Sequence, residues 1–239
     1  MPRSRLIRPC RTRRGARGRT TIALIVGGLL AVSCSRTPAA PVQDATPTVP
    51  PATVAPGPMD LGQRTIDLRA GPVAEPITLE IPALDLVADI LGVGITAKDV
   101  MDAPSGDPDS PVWRQAFWYR GSAVPGQPST AVLAGHVNNQ LDQPGAFARL
   151  DELHAGDAVI VHDSRDGSAV TFTVTTSHSY TLAEAAEPAV LREIYGSGPV
   201  DATWPTPSDD GRAHLTLVTC AGTYVDGTHD HRLVVHAVH

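Results

Sequence analysis

Leu215-Thr216-Leu217-Val218-Thr219-Cys220 (LTLVTC) is an alternating, β-branched run that reads as a strand ending on a thiol. Short runs of the same kind recur on either side, punctuated by Gly and Pro: Ile77 to Ile81, Leu86 to Ile95, Thr130 to Ala134, Ala158 to His162, Val170 to Thr176, His214 to Thr219 and Leu233 to Val238. Asp166-Gly167 separates two of these runs and is a hairpin signal. Helix is sparse. Leu182 to Tyr195 (LAEAAEPAVLREIY) is the best candidate, with Pro188 placed to break or offset it. Many short strands with one or two helical connections make an all-β domain, either a closed barrel or a sandwich.

The regions before this domain have a different composition. Eight arginines fall in residues 1 to 19, followed by the uncharged stretch Thr20 to Ser33 and then Cys34, so residues 1–34 read as an export signal. A membrane-spanning helix needs about 20 apolar residues, and this stretch is shorter. Leu30-Ala31-Val32-Ser33-Cys34 resembles a lipobox, in which Cys34 would be acylated after cleavage. The alternative is an uncleaved membrane anchor. Both readings leave the body extracytoplasmic and tethered to the membrane. Residues 35–69 read as a disordered linker: seven prolines between Ser35 and Asp60, with few large apolar side chains, give an extended spacer. Residues 70–239 are then the folded domain.

After Cys34 the remaining 11 basic residues face 25 acidic ones, a formal net charge of −14. Such a body is a poor partner for nucleic acid, which needs clustered Lys and Arg. Of the three cysteines, Cys10 lies in the leader and Cys34 at the lipobox, so only Cys220 belongs to the body and no disulfide framework can form. A lone thiol in an exported domain is either reactive or a small buried hydrophobe.

Thiolate chemistry separates those two readings. A free thiol titrates near pH ~8.5, so a nucleophilic cysteine needs a proton acceptor or a cationic neighbour. His136 follows an apolar run in VLAGHVNN, and Arg232 opens the last run in RLVVHAVH. The plainer alternatives are a loop histidine and a solvated edge arginine, with Arg212 as a substitute cation. His229, His231, His236 and His239 suggest a metal, but His236 and His239 would point to opposite faces of a strand, and a site needs three or four convergent ligands.

Thr216-Leu217-Val218-Thr219-Cys220 fits the TLxTC motif of the sortases at every specified position, and the sequence resembles that family over about residues 75 to 239. Gly135-His136 resembles its catalytic histidine, and Arg232, twelve residues after the cysteine, its catalytic arginine. Gly145-Ala146-Phe147, Leu150, Leu153, Gly156-Asp157 and Glu80-Ile81-Pro82 also follow its pattern. The N-terminal signal and Tyr195-Gly196 look most like the class F group of actinobacteria.

The resemblance implies a closed eight-stranded β-barrel with catalytic residues His136, Cys220 and Arg232, and with the backbone around Thr219 supporting the oxyanion. It implies cleavage of an LPxTG-like C-terminal sorting signal after Thr, a thioacyl enzyme, and transfer of surface proteins to a peptidoglycan precursor amine. No cofactor is implied. Two rivals remain. In an L,D-transpeptidase His and Cys lie within a few residues, whereas here they are 84 apart. A non-catalytic, wall-binding lipoprotein barrel would not need an activated thiol.

Overall fold

Eight strands close on themselves in the computed structural model of the chain, which describes residues 67–196 and 205–239. They are β1 (Val73–Ile81), β2 (Leu86–Val93), β3 (Ala116–Tyr119), β4 (Thr130–Gly135), β5 (Ala158–Asp163), β6 (Ala169–Thr181), β7 (His214–Val225) and β8 (Thr228–Val238). Around the barrel they run β1-β2-β3-β4-β7-β8-β6-β5. Every neighbouring pair is antiparallel except β2 with β3 and β4 with β7, which are parallel. Of the two all-β architectures open at the sequence level, the closed barrel is the one that forms. The export signal, Cys34 and the linker up to residue 66 lie outside the described residues.

Period-two alternation fills the barrel. Leu79, Ile81, Leu133, Phe172, Leu215 and Leu217 are all fully buried and belong to one interior cluster. Closure pairs both edges of every strand, which leaves no long apolar edge for another chain to extend.

Two elements differ from the sequence reading, and the helix divides where Pro188 was placed to break it. β3, Ala-Phe-Trp-Tyr, was not among the expected strands. It is only four residues long and shows no alternation because both of its faces are covered: Ala116 and Trp118 face the interior, Phe117 packs with Val93 and Trp113, and Tyr119 with Ile194. The candidate helix divides into α1 (Leu182–Ala185) and α2 (Pro188–Tyr195), with Pro188 in the first turn of α2 where its missing N–H costs nothing. A capping box between Thr181 and Glu184 starts α1.

The second difference lies beside the cysteine. Leu215–Cys220 and Leu233–Val238 are parts of one long hairpin, closed by the two-residue turn Asp226-Gly227, whose φ angles of 50° and 87° suit a tight hairpin turn. A bulge between Ala221 and Tyr224 interrupts its register. Gly222 (φ +77°) occupies that bulge, and a Cβ there would collide with the Asp230 carboxylate.

Candidate active site

Three adjacent strands build the site. Across the antiparallel β7–β8 pair, Val218 faces Val234 and Cys220 faces Arg232. Across the parallel β4–β7 pair, Ala134 lies beside Val218. Gly135 is tied to the next residue by the Thr219 hydroxyl, which donates to the Gly135 carbonyl at 2.9 Å. One step further along the same register puts His136 beside Cys220. Side chains alternate along each strand, so Ala134, Val218 and Val234 form one row on the outer face, and His136, Cys220 and Arg232 form the next. The inward positions between them are Thr219 and Leu233, both buried.

The first row is partly covered. Val132 and Val234, completely buried, pack with Tyr119 and Ile194, and Val218 joins them from its half-buried place. Here the outer face opens into a cleft of about 670 Å³, lined on the barrel side by Ala134 and Val218 of the first row and by His136, Thr219, Cys220 and Arg232. Its walls are mostly apolar, with Ile95, Val100 and Met101 after β2 and Leu182, Leu191 and Ile194 on α1 and α2, although Asp99 and Asp102 also line it. His136, Cys220 and Arg232, 84 and 12 residues apart in sequence, therefore share one concave surface, with the cysteine half-buried.

The polar contacts are uneven. Nη1 of Arg232 donates to the carbonyls of His231 (2.8 Å) and His229 (3.2 Å), and the guanidinium has no carboxylate partner among the described residues. The side chain lines the cleft, and its charge is not consumed by an ion pair with any described residue. The Cys220 thiol has no hydrogen bond among the described residues. Nε2 of His136 is bonded to the Pro104 carbonyl at 2.8 Å, and its ring lies against Trp113 and Phe117 at centroid distances of 4.6 and 5.3 Å.

The alternative residues are elsewhere. Arg212 precedes β7 and bonds the His239 carbonyl at the opposite end of the barrel from Cys220. The four C-terminal histidines take separate partners: His229 the Gly222 carbonyl and Asn138, His231 the Asp230 carboxylate, His236 Thr216 and Glu193, and His239 the Thr171 carbonyl. Among the described residues no three His, Cys, Asp or Glu side chains converge as a metal site would require.

Residues 79–239 match the family described as Sortase domain. The chain belongs to the sortase family. No curated protein sequence matches it. Among solved structures it is similar to sortase A from Corynebacterium diphtheriae, at 19% identity and a TM-score of 0.47 over 71% of this chain and 62% of that one. It is also similar to sortase C-1 from Actinomyces oris, at 20% identity and a TM-score of 0.45 over 69% of this chain and 74% of that one. A Clostridium perfringens sortase D5 transpeptidase is similar at 16% identity and a TM-score of 0.43, over 68% of this chain and 76% of that one. The chain thus spans less than two thirds of the length of the Corynebacterium enzyme.

Other sortase-like residues of the sequence have packing roles. Phe147 sits under Gly135, where a Cβ would come within 2.7 Å of its ring, and its N–H donates to the His136 carbonyl. The Gly145 backbone approaches the same carbonyl too closely for any side chain. Leu150 and Leu153 are buried in the barrel cluster, and Gly156 (φ +101°) makes the turn into β5. The GAF motif is therefore a seat for the histidine segment.

Thr219 has an equally local task. Its buried hydroxyl is the strut between the strand that carries Cys220 and the strand that ends at His136. Thr219→Val keeps the shape and removes the donor, leaving the Gly135 carbonyl short of a partner. Denaturant unfolding is expected to show a loss of about 1–3 kcal/mol. An unchanged midpoint would mean that the strut carries no strain.

Proposed function

We propose that this sortase is a cysteine transpeptidase in which Cys220 is the nucleophile, Arg232 the oxyanion stabiliser and His136 the proton carrier. The observation that carries this reading is the row His136–Cys220–Arg232 across β4, β7 and β8, opening into a single cleft.

In the first half-reaction the Cys220 thiolate attacks the carbonyl carbon of a peptide bond, forming a C–S bond and moving the C=O electron pair onto oxygen. The Arg232 guanidinium, permanently charged and without a carboxylate partner among the described residues, stabilises that oxyanion. The intermediate collapses by breaking the C–N bond, and the leaving amine takes a proton from imidazolium His136. In the second half-reaction an acceptor amine attacks the thioester and gives a proton to neutral His136, and the C–S bond breaks to return the thiolate. Backbone groups around Thr219 support the oxyanion.

The substrate proposed from the resemblance is an LPxTG-like sorting signal, cut after Thr, and the acceptor is an amine of a peptidoglycan precursor. The mostly apolar cleft walls and the acidic body agree with a peptide substrate rather than a polyanion. We extend the proposal to a class F-like enzyme held outside the membrane by residues 1–34, through lipid on Cys34 or an uncleaved anchor. Residues 35–69 would be a spacer and residues 70–239 the catalytic domain.

Incubating the full-length protein with sorting-signal peptides and an added amine should give the amide-exchanged product by mass spectrometry. It should also give a trapped acyl adduct on Cys220. Absence of cleavage for every peptide, together with Cys220 reacting no faster than free cysteine with a thiol probe, would instead point to a non-catalytic binding barrel.

A further inference from the structure

We infer that Trp113, in the loop between β2 and β3, is a positioning residue for His136, and that Nδ1 is the nitrogen through which His136 exchanges protons. This rests on the catalytic reading of His136 given above. A carbonyl oxygen can only accept, so the 2.8 Å bond from Nε2 to Pro104 requires the hydrogen on Nε2. That hydrogen is present in both neutral imidazole and imidazolium. The proton that comes and goes is therefore the one on Nδ1.

The loop that supplies Pro104 is stitched to His136 and the segment after it at four points. Besides the Pro104 bond, the Gln140 amide donates to the Gly106 carbonyl (2.8 Å) and the Asn139 amide to the Pro108 carbonyl (3.1 Å). Ala146 N–H donates to the Trp113 carbonyl (2.8 Å). Trp113 is itself fixed, 7% exposed, with its indole N–H on the Asp107 carbonyl at 2.9 Å. Its ring closes one side of the imidazole, tilted 48° at 4.6 Å, while Phe117 presents an edge contact at 5.3 Å. None of these contacts involves Cys220, so the histidine is oriented before substrate arrives, with Trp113 packed against one side of its ring. Fixing one nitrogen by a hydrogen bond and leaving the other free is a general way to set which tautomer reacts.

Nitrogen-15 NMR of the full-length protein in alkaline solution reads the tautomer without any need for turnover. Neutral His136 is expected in the Nε2–H form. Trp113→Ala should mix the two tautomers and lower kcat on the order of 100-fold while leaving the peptide KM nearly unchanged, as misplacement of a reacting group does. Trp113→Phe should restore most of both readouts. If Trp113→Ala does not fold, Trp113→Leu, which fills volume without a flat ring, takes its place in the comparison with Phe. An Nδ1–H tautomer in the unaltered protein, or a folded Ala or Leu variant with undiminished kcat, would overturn the inference. An inactive wild-type protein with the Nε2–H tautomer would instead count against the transpeptidase reading and leave the tautomer assignment standing.

Discussion

Cys220→Ala is expected to abolish peptide cleavage and amine transfer together, with kcat falling about 10⁶-fold, as for removal of other covalent nucleophiles. Neither half-reaction has another atom to form the acyl bond: Cys220 is the only free cysteine among the described residues, and the hydroxyl nearest to it in sequence, that of Thr219, points inward to the Gly135 carbonyl. Stability should hardly change. The half-buried thiol makes no hydrogen bond among the described residues, and replacing it with a methyl removes a group of roughly methylene size, about 1 kcal/mol or less. Mass spectrometry of peptide products alongside circular dichroism checks both statements. Residual turnover within 100-fold of wild type in a folded variant would show that the thiol is not the nucleophile.

The strand that carries this cysteine was legible because Leu215-Thr216-Leu217 alternates and the run is β-branched, even though its outer face is also covered at Thr216 and Val218. Alternation failed as a guide in two places, for different physical reasons. β3 is buried on both faces, so Ala-Phe-Trp-Tyr offers no polar positions from which a period could be read. Gly222 to His231 are mostly exposed and polar, and the bulge at Gly222 shifts the phase, so a continuous hairpin looks like a loop even though Asp226-Gly227 marks its turn. Of the site, His136 and Arg232 were picked out first as the partners a thiolate needs and then by the family resemblance. What places them beside Cys220 is a parallel pairing and an antiparallel register that no spacing of 84 or 12 residues discloses. Trp113 was not singled out at all. Its only sequence signal is an aromatic residue at the end of a Pro-rich loop, DPDSPVW, which identifies a packed loop but not the imidazole against which it packs.

Arg232→Lys is expected to be nearly as damaging as Arg232→Ala, each lowering turnover about 10²–10³-fold, the usual cost of losing a principal oxyanion donor. The register explains why one charge cannot replace the other. Arg232 faces Cys220 directly across the β7–β8 pair, and one end of its guanidinium is already engaged by the carbonyls of His229 and His231. A planar fork can hold those carbonyls with Nη1 and still aim further N–H groups at an oxygen on the substrate. An ammonium on a flexible stem must choose between them, and the two carbonyls are the nearer acceptors. The control is Arg212→Ala. Eight residues of nearly extended chain separate Arg212 from Cys220, roughly 26 Å at ~3.3 Å per residue, and its guanidinium is bonded to the His239 carbonyl. That variant should retain full turnover, because so distant and exposed a charge is screened by solvent. Steady-state kinetics on a cleaved sorting-signal peptide compares the three. If Lys restored most of the rate, simple charge rather than donor geometry would stabilise the oxyanion, and if Arg212→Ala proved the costlier change, the cross-strand arginine would have no part in the reaction.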